Sequence, residues 1–412
     1  MNEISRSTYC PTTKFSTTNN ELLIGGISIS HLAMRVGSTP FYAYDRKIMT
    51  EQVNLVRRQL PKEIHLHYAM KANPMPAVVQ HLSKIIDGID VASQKEMLVA
   101  LDAGITSNKI SFAGPGKSNA ELTSAIAAGV IINVESAREL NAIHEISQKI
   151  GIKPKVALRI NPNFELKGSS MKMGGGPKQF GIDFEKAPEI LKKLSSQHFD
   201  FEGFHIFSGS QNLRADSIAD AQEKALALAY ELAPFSPTPI KNVNIGGGFG
   251  IPYFPGDTPL DTEFIGKKLL EKIPEAKKKL PLAKITIELG RFLVGESGVY
   301  VCKVIEKKIS RDQIYLIVDG GLHHHLAASG NFGQIIRKNF PVAVGNRMHS
   351  TQKEIASVVG PLCTPLDLLA DKMELAKAKE DDLIVIFQSG AYGFTASPHN
   401  FLSHPLPKEI LV

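Results

Sequence analysis

The chain has 412 residues, too many for one small core and enough for two domains or a large α/β barrel with a second module. Apolar residues make up 43% and charged residues 21%, which excludes a disordered or fibrous class. A net charge of +6, spread along the chain without basic clusters, gives no footing for nucleic-acid binding.

The first residues, "MNEISRSTYCPTTKFSTTNN", are polar and lack the apolar stretch of a signal peptide, and residues 1–20 are expected to be flexible. No run of about 18 apolar residues occurs, so no membrane span is expected. The three cysteines, Cys10, Cys302 and Cys363, form no CxxC pair and no even framework. That usage predicts a reducing compartment, hence a cytoplasmic protein.

"ELLIGGISISHLAMRVGSTPFYAYD" predicts short strands about a Gly-Gly turn, a small helix and another strand. From about 45, apolar β-like runs alternate with helical patterns. The runs are 64–70, 88–93, 109–114, 130–135, 155–160, 201–207, 241–247 and 283–289. Eight such units over about 250 residues fit a closed (β/α)8 barrel, with an open doubly wound sheet as the alternative. After 298 strands follow one another with few helices, as in "VYVCKVIEKKIS", "QIYLIVDGG", "KEIASVVGP" and "DDLIVIFQSGAY". The expected organisation is therefore three segments. Residues 1–44 supply strands that join the β domain, 45–297 form the barrel, and 298–412 form a C-terminal all-β domain.

In such a barrel the chemistry lies at the C-terminal ends of the strands. The first run, "HLHYAMKANP", ends in Lys71, a primary amine where an apolar residue would be expected. The second carries Asp90 and is followed by Glu96. The third ends in "GPGK", the fifth in "RINP" with Arg159, and the sixth in "HIFSGSQ" with His205 and Ser208. The seventh ends in "GGGFG", Gly246, Gly247 and Gly248 leading, and the eighth in "ELGR" with Glu288 and Arg291. The glycine run is no Rossmann fingerprint, because position 251 is isoleucine. "GPGKS" is no Walker loop, because position 111 is serine. Bare amides at 246–248 with the Arg291 cation do fit the phosphate site that barrels build after strands seven and eight. The alternative is a plain flexible turn.

A lysine amine facing a phosphate anchor across a barrel suits pyridoxal 5′-phosphate held through its aldehyde. Glu288 is the candidate carboxylate for the ring nitrogen, and His205 could stack on the ring. Taken alone, Lys71 reads as a snorkelling surface lysine and Glu288 as an ion-pair partner of Arg291. Together they favour the cofactor. The run His323-His324-His325 has no carboxylate at ligand spacing, and no metal site is expected there.

These segments carry a resemblance. "YAMKAN", "HIFSGSQ", "GGGFG", "ELGR", "GPLCTPLD" and "GAY" resemble, in turn, the cofactor-lysine, His-x-x-Ser, phosphate-loop, Glu-Pro-Gly-Arg, Gly-Pro-x-Cys and phosphate-tyrosine motifs of the fold-type III pyridoxal-phosphate decarboxylases. That group includes diaminopimelate, ornithine and arginine decarboxylases. The resemblance implies an alanine-racemase-like barrel plus β domain, and a homodimer with shared active sites. It implies that Tyr392 binds phosphate and that Cys363, donated by the partner subunit, returns a proton to Cα. A buried structural thiol is the other reading of Cys363. Leu289 replaces the family's proline. Thr364 stands where an acidic residue would grip a distal amine, and Ala327 falls about where diaminopimelate enzymes carry an arginine. Thr364 and Asp319 are the candidate substrate contacts. The departures argue against free meso-diaminopimelate and resemble a biosynthetic branch that includes a decarboxylase of a glutamyl group tethered to an acyl-carrier protein. An amino-acid racemase, a non-catalytic cofactor-binding regulator and a metal-dependent barrel enzyme are the rival readings.

Overall fold

The structure is a computed structural model and describes residues 9, 14–168, 171–334 and 336–412. The chain divides into two compact units. One comprises Gln52–Ile251 and Leu260–Phe292; the other comprises Met1–Glu51, Pro252–Pro259 and Leu293–Val412.

In the first unit eight parallel strands run Ile64–Ala69, Gly88–Val91, Ile110–Phe112, Ile131–Val134, Lys155–Asn161, Asp200–Ile206, Asn242–Gly247 and Lys284–Leu289. Each pairs with its sequence neighbour, and the eighth returns to the first through Ile285↔Ile64 to Leu289↔Tyr68. The sheet is a closed barrel, which removes the open-sheet alternative. Parallel neighbours need crossovers, and helices supply them here. Their starts are written in the sequence as S-x-x-E. Ser93, Ser118 and Ser136 each accept the backbone N–H three residues on, from Glu96, Glu121 and Glu139. Gly129 and Gly151 close two of the helices in the left-handed region.

The second unit is a mixed sheet ordered Val342–Val344, Leu383–Ile386, Gly298–Ser310, Gln313–Val318, Lys353–Val359 and Leu368–Ala376. The thirteen-residue strand Gly298–Ser310 turns into Gln313–Val318 through Arg311 and Asp312, both at positive φ, as a two-residue hairpin requires. Phe41–Tyr44 joins this sheet as expected. It pairs antiparallel with Gly298–Val301 and parallel with Lys408–Leu411. Leu22, Ile24, Leu32, Phe41, Val299, Val301 and Val385 form the core beneath it.

Outside the predicted set lie Leu368–Ala376 and Lys408–Leu411 in the β unit and the two-residue strands Met171–Lys172, Ile182–Asp183 and Gly209–Ser210 in the barrel unit. The expectation of a flexible 1–20 falls mostly, with Cys10, outside the described residues. Its last part is instead a strand: Thr17–Thr18 pairs with Glu21–Leu22. Among the described residues no helix is long and apolar enough to cross a membrane.

Candidate active site

The rim at the strands' C-terminal ends gathers most of the predicted residues. Lys71 lies two residues past the end of the first strand, in the 3-10 turn Met70–Ala72. Its Nζ stands 5.4 Å from the centre of the Phe207 ring. Glu288 sits on the eighth strand, which pairs with the first through Glu288↔His67. Its carboxylate is buried. Oε2 accepts the Asn244 side-chain amide at 2.9 Å and lies 2.7 Å from His205 Nε2. Burial alone would raise the Glu288 carboxyl. The His205 contact outweighs it, helped by the charges of Lys71 and Arg159, and the net pull is down to about 2. Glu288 is therefore an anion inside the barrel. His205 Nε2 faces that anion and is its donor, which leaves buried Nδ1 without a hydrogen-bond partner among the described residues.

Asn244 does a second thing. Its Oδ1 accepts the Gly246 N–H at 2.8 Å, so one side chain links the carboxylate to the glycine loop. That loop is packed so closely that side chains are excluded. A Cβ on Gly247 would fall 2.0 Å from the Glu288 carbonyl oxygen, and one on Gly248 2.5 Å from that of Gly209. Gly246 and Gly248 also hold φ of 73° and 75°. Ser208 follows the sixth strand and is buried, and its carbonyl accepts Met173 N–H at 3.1 Å. Arg291 opens the short helix Arg291–Val294 directly after the eighth strand. A side-chain-free loop whose Gly246 amide is already given to Asn244, an arginine that follows the eighth strand, an amine and a buried anionic acceptor match the donor and acceptor set of a phosphorylated pyridine aldehyde. The unsatisfied His205 nitrogen fits a further polar group there.

Asp90 sits on the second strand and faces the first, its Oδ2 3.3 Å from His67 Nδ1. Gly88 makes room for that imidazole, since a Cβ there would lie 2.5 Å from His67 Nε2. Burial lowers the His67 pKa, and the Asp90 charge and hydrogen bond more than restore it, so the net shift is upward. Arg159 is buried on the fifth strand, with Nη1 2.8 Å from Glu135 Oε1. Glu96 is turned to structure, accepting Ala92 N–H at 2.7 Å. Glu135, Asn244, His67 and Phe207 were not singled out in the sequence. Asn244 and Glu135 had a signal: each is a polar residue in or at the end of a run buried on both faces.

The remaining candidates belong to the β unit. Cys363 is exposed, which removes the buried-thiol reading. Thr364 caps its own turn, its hydroxyl accepting Leu366 N–H at 3.3 Å. Ala327 is partly buried and carries no charge in that unit. Asp319 spends its carboxylate internally on the Thr39 hydroxyl and on Lys303 N–H. Tyr392 lies at φ 53° in the turn after Gly390. His323, His324 and His325 are buried. His324 Nε2 is 2.8 Å from the Pro405 carbonyl, and His325 Nε2 is 2.8 Å from Ser389 Oγ.

Residues 46–295 match the family described as the pyridoxal binding domain of pyridoxal-dependent decarboxylases. The chain is 36% identical over 383 residues to the L-glutamyl-[BtrI acyl-carrier protein] decarboxylase of Niallia circulans, covering 90% of this chain and 88% of that one. It is 33% identical over 402 residues to the diaminopimelate decarboxylase of Aquifex aeolicus, covering 96% and 91%. The crystal structure of diaminopimelate decarboxylase from M. jannaschii superposes with a TM-score of 0.87 at 26% identity, over 97% of this chain and 93% of that one.

Proposed function

Because the chain belongs to the pyridoxal-dependent decarboxylases, we propose that its substrate is a biosynthetic amino acid other than free meso-diaminopimelate, from which it removes the α-carboxylate. The observation that carries the chemistry is that the amine of Lys71 follows the first strand while the buried, ionised Glu288 sits on the eighth strand, which pairs with the first, and that the Lys71 charge helps to keep Glu288 ionised. The bound cofactor supplies an electron sink for the pair left on Cα when CO₂ departs. Lys71 would hold the cofactor through its aldehyde carbon. Glu288, kept anionic by His205 and Asn244, holds a proton on the ring nitrogen. Gly246, Gly247, Gly248, Ser208, Arg291 and Tyr392 take the phosphate and stop rotation. His205 covers one ring face, and Asp90 and Arg159 complete the cofactor surround. Cys363 of the partner subunit delivers the proton to Cα. The protein's share would be to orient the substrate carboxylate for loss.

Two departures from the family pattern support the substrate class. Thr364 offers no charge to a distal amine, and Ala327 none to a distal carboxylate. A specific alternative is an aminoacyl group tethered to an acyl-carrier protein, favoured by the 36% identity to an enzyme named for such a substrate. Thr364 remains a proposed substrate contact, whereas Asp319, whose two oxygens are taken by Thr39 and Lys303, is better suited to a structural role. The reading takes a cytoplasmic homodimer with shared sites. A screen of CO₂ release from free meso-diaminopimelate, ornithine, lysine and glutamate, alongside carrier-bound glutamate, tests it. Preference for free meso-diaminopimelate overturns the substrate assignment. Absence of borohydride-fixed cofactor at Lys71 overturns the role of that residue.

A further inference from the structure

Glu135 follows the fourth strand, and only 2% of its side chain is exposed. Three donors converge on it. Oε1 accepts the Gly114 N–H at 2.6 Å and Arg159 Nη1 at 2.8 Å, and Oε2 accepts the Gly181 N–H at 3.0 Å. Gly114 belongs to the loop after the third strand, and Gly181 to the long loop after the fifth. One carboxylate thus ties two rim loops to an arginine that lies inside the barrel. The guanidinium is held on its other side by the Phe180 ring, 5.0 Å from Cζ.

A second buried pair stands behind the first. Lys117 gives its ammonium to the carbonyls of Gly114 and Asn133, at 2.7 and 2.9 Å, and lies 2.7 Å from Glu139 Oε1. Glu139 Oε2 accepts the Glu135 N–H at 2.9 Å. Two cations and two carboxylates balance, so the network is neutral. Burial raises the Glu135 carboxyl, but Arg159 and then Lys117 outweigh it, and the net shift is downward. Arg159 also lowers Glu288. Its charge is shared between a carboxylate that anchors it and the carboxylate of the site.

We propose that Glu135 is a positioning residue of the decarboxylase: it fixes the Arg159 guanidinium against Phe180 and pins the Gly114 and Gly181 loops, ordering the barrel mouth before the cofactor enters. The inference rests on the functional reading for what Arg159 serves. Neutralising Glu135 leaves Arg159 a buried cation without its anchoring carboxylate, and it takes the acceptor from at least one of the two loop amides.

The test uses the full chain with Glu135→Gln, Glu135→Asp, Arg159→Met and the Glu135→Gln/Arg159→Met double variant. Pyridoxal 5′-phosphate affinity is measured by titrating the cofactor-free protein, and amide exchange is followed in 113–117 and 176–183 without cofactor. Glu135→Gln is expected to weaken cofactor binding at least tenfold and to raise exchange in both segments while the other strands stay protected. Glu135→Asp, charged but one methylene short, is expected to fall between wild type and Gln. The double variant is expected to bind no more weakly than the worse single variant, because both changes undo one arrangement. Additive losses overturn the proposal, as does a Gln variant that melts earlier yet binds cofactor within twofold of wild type. If the Gln variant does not fold, wild-type affinity and protection in the Asp variant overturn it. A wild-type chain that takes no cofactor at Lys71 sinks the functional reading instead, and the exchange arm still decides whether Glu135 pins the loops.

Discussion

Glu288 is buried and yet ionised, and that combination has a pH signature. Its folded pKa of about 2 lies below the unfolded carboxyl value, so the stability it contributes is complete above roughly pH 4.3 and is lost as pH falls toward the folded value. Glu288→Gln is expected to flatten the stability profile between about pH 4.5 and 2, and urea midpoints across that range check it. An unchanged slope would show that the His205 contact contributes nothing to the fold. Gly247→Ala presses a methyl onto the Glu288 carbonyl, a clash that costs about 1–3 kcal/mol and displaces the loop. Thermal melts and cofactor titration should fall together in that variant. At this scale Lys71, Glu288 and the glycine run were legible because each is the wrong residue type for the end of a buried strand. Asn244 was not. Its role depends on two side-chain hydrogen bonds, to Glu288 and to Gly246, that no spacing rule encodes.

Helices and strands differ in how much of themselves they declare. The eight barrel strands are short apolar runs divided by capped helices, and both signals are local. Leu368–Ala376, "LLADKMELA", is built largely of helix formers and gave no strand signal. It is a strand because Lys353–Val359 offers it an antiparallel partner from Lys353↔Ala376 to Val359↔Leu368. A like override, in reverse, governs Gly266. The residue lies within the helix Thr262–Lys279, where alanine would be favoured by about 1 kcal/mol. The helix Arg46–Gln59 passes so close that a Cβ on Gly266 would fall on the Gln59 carbonyl oxygen. Gly266→Ala is therefore expected to lower the melting temperature despite its better propensity, at a net cost of about 1–3 kcal/mol. A rise in melting temperature would mean that the two helices part without penalty.

Across the whole molecule, the return of Phe41–Tyr44 to the β unit was legible from the strand-like "FYAY", but its other neighbour was not. Lys408–Leu411 is four residues long, begins with two charges and carries no alternation long enough to read. It nevertheless covers Phe41–Tyr44, with Tyr44 Oη 2.7 Å from Glu409 and Arg46 N–H on the Val412 carbonyl at 2.8 Å. Removing residues 408–412 is expected to bare an apolar strand edge and to drive the protein into larger species on size exclusion. A truncated chain that elutes as the intact one does would refute that.

The strand Phe41–Tyr44 is thus made early and covered last. Tyr44 and its partner Glu409 are separated by 365 residues, and a ribosome adding about 5–20 residues per second leaves that strand waiting for roughly 20–70 s. All eight barrel staves are delivered within the interval and can close on one another meanwhile. A nascent chain halted near residue 300 should already hold a protease-resistant barrel while "FYAY" is still open to chaperones.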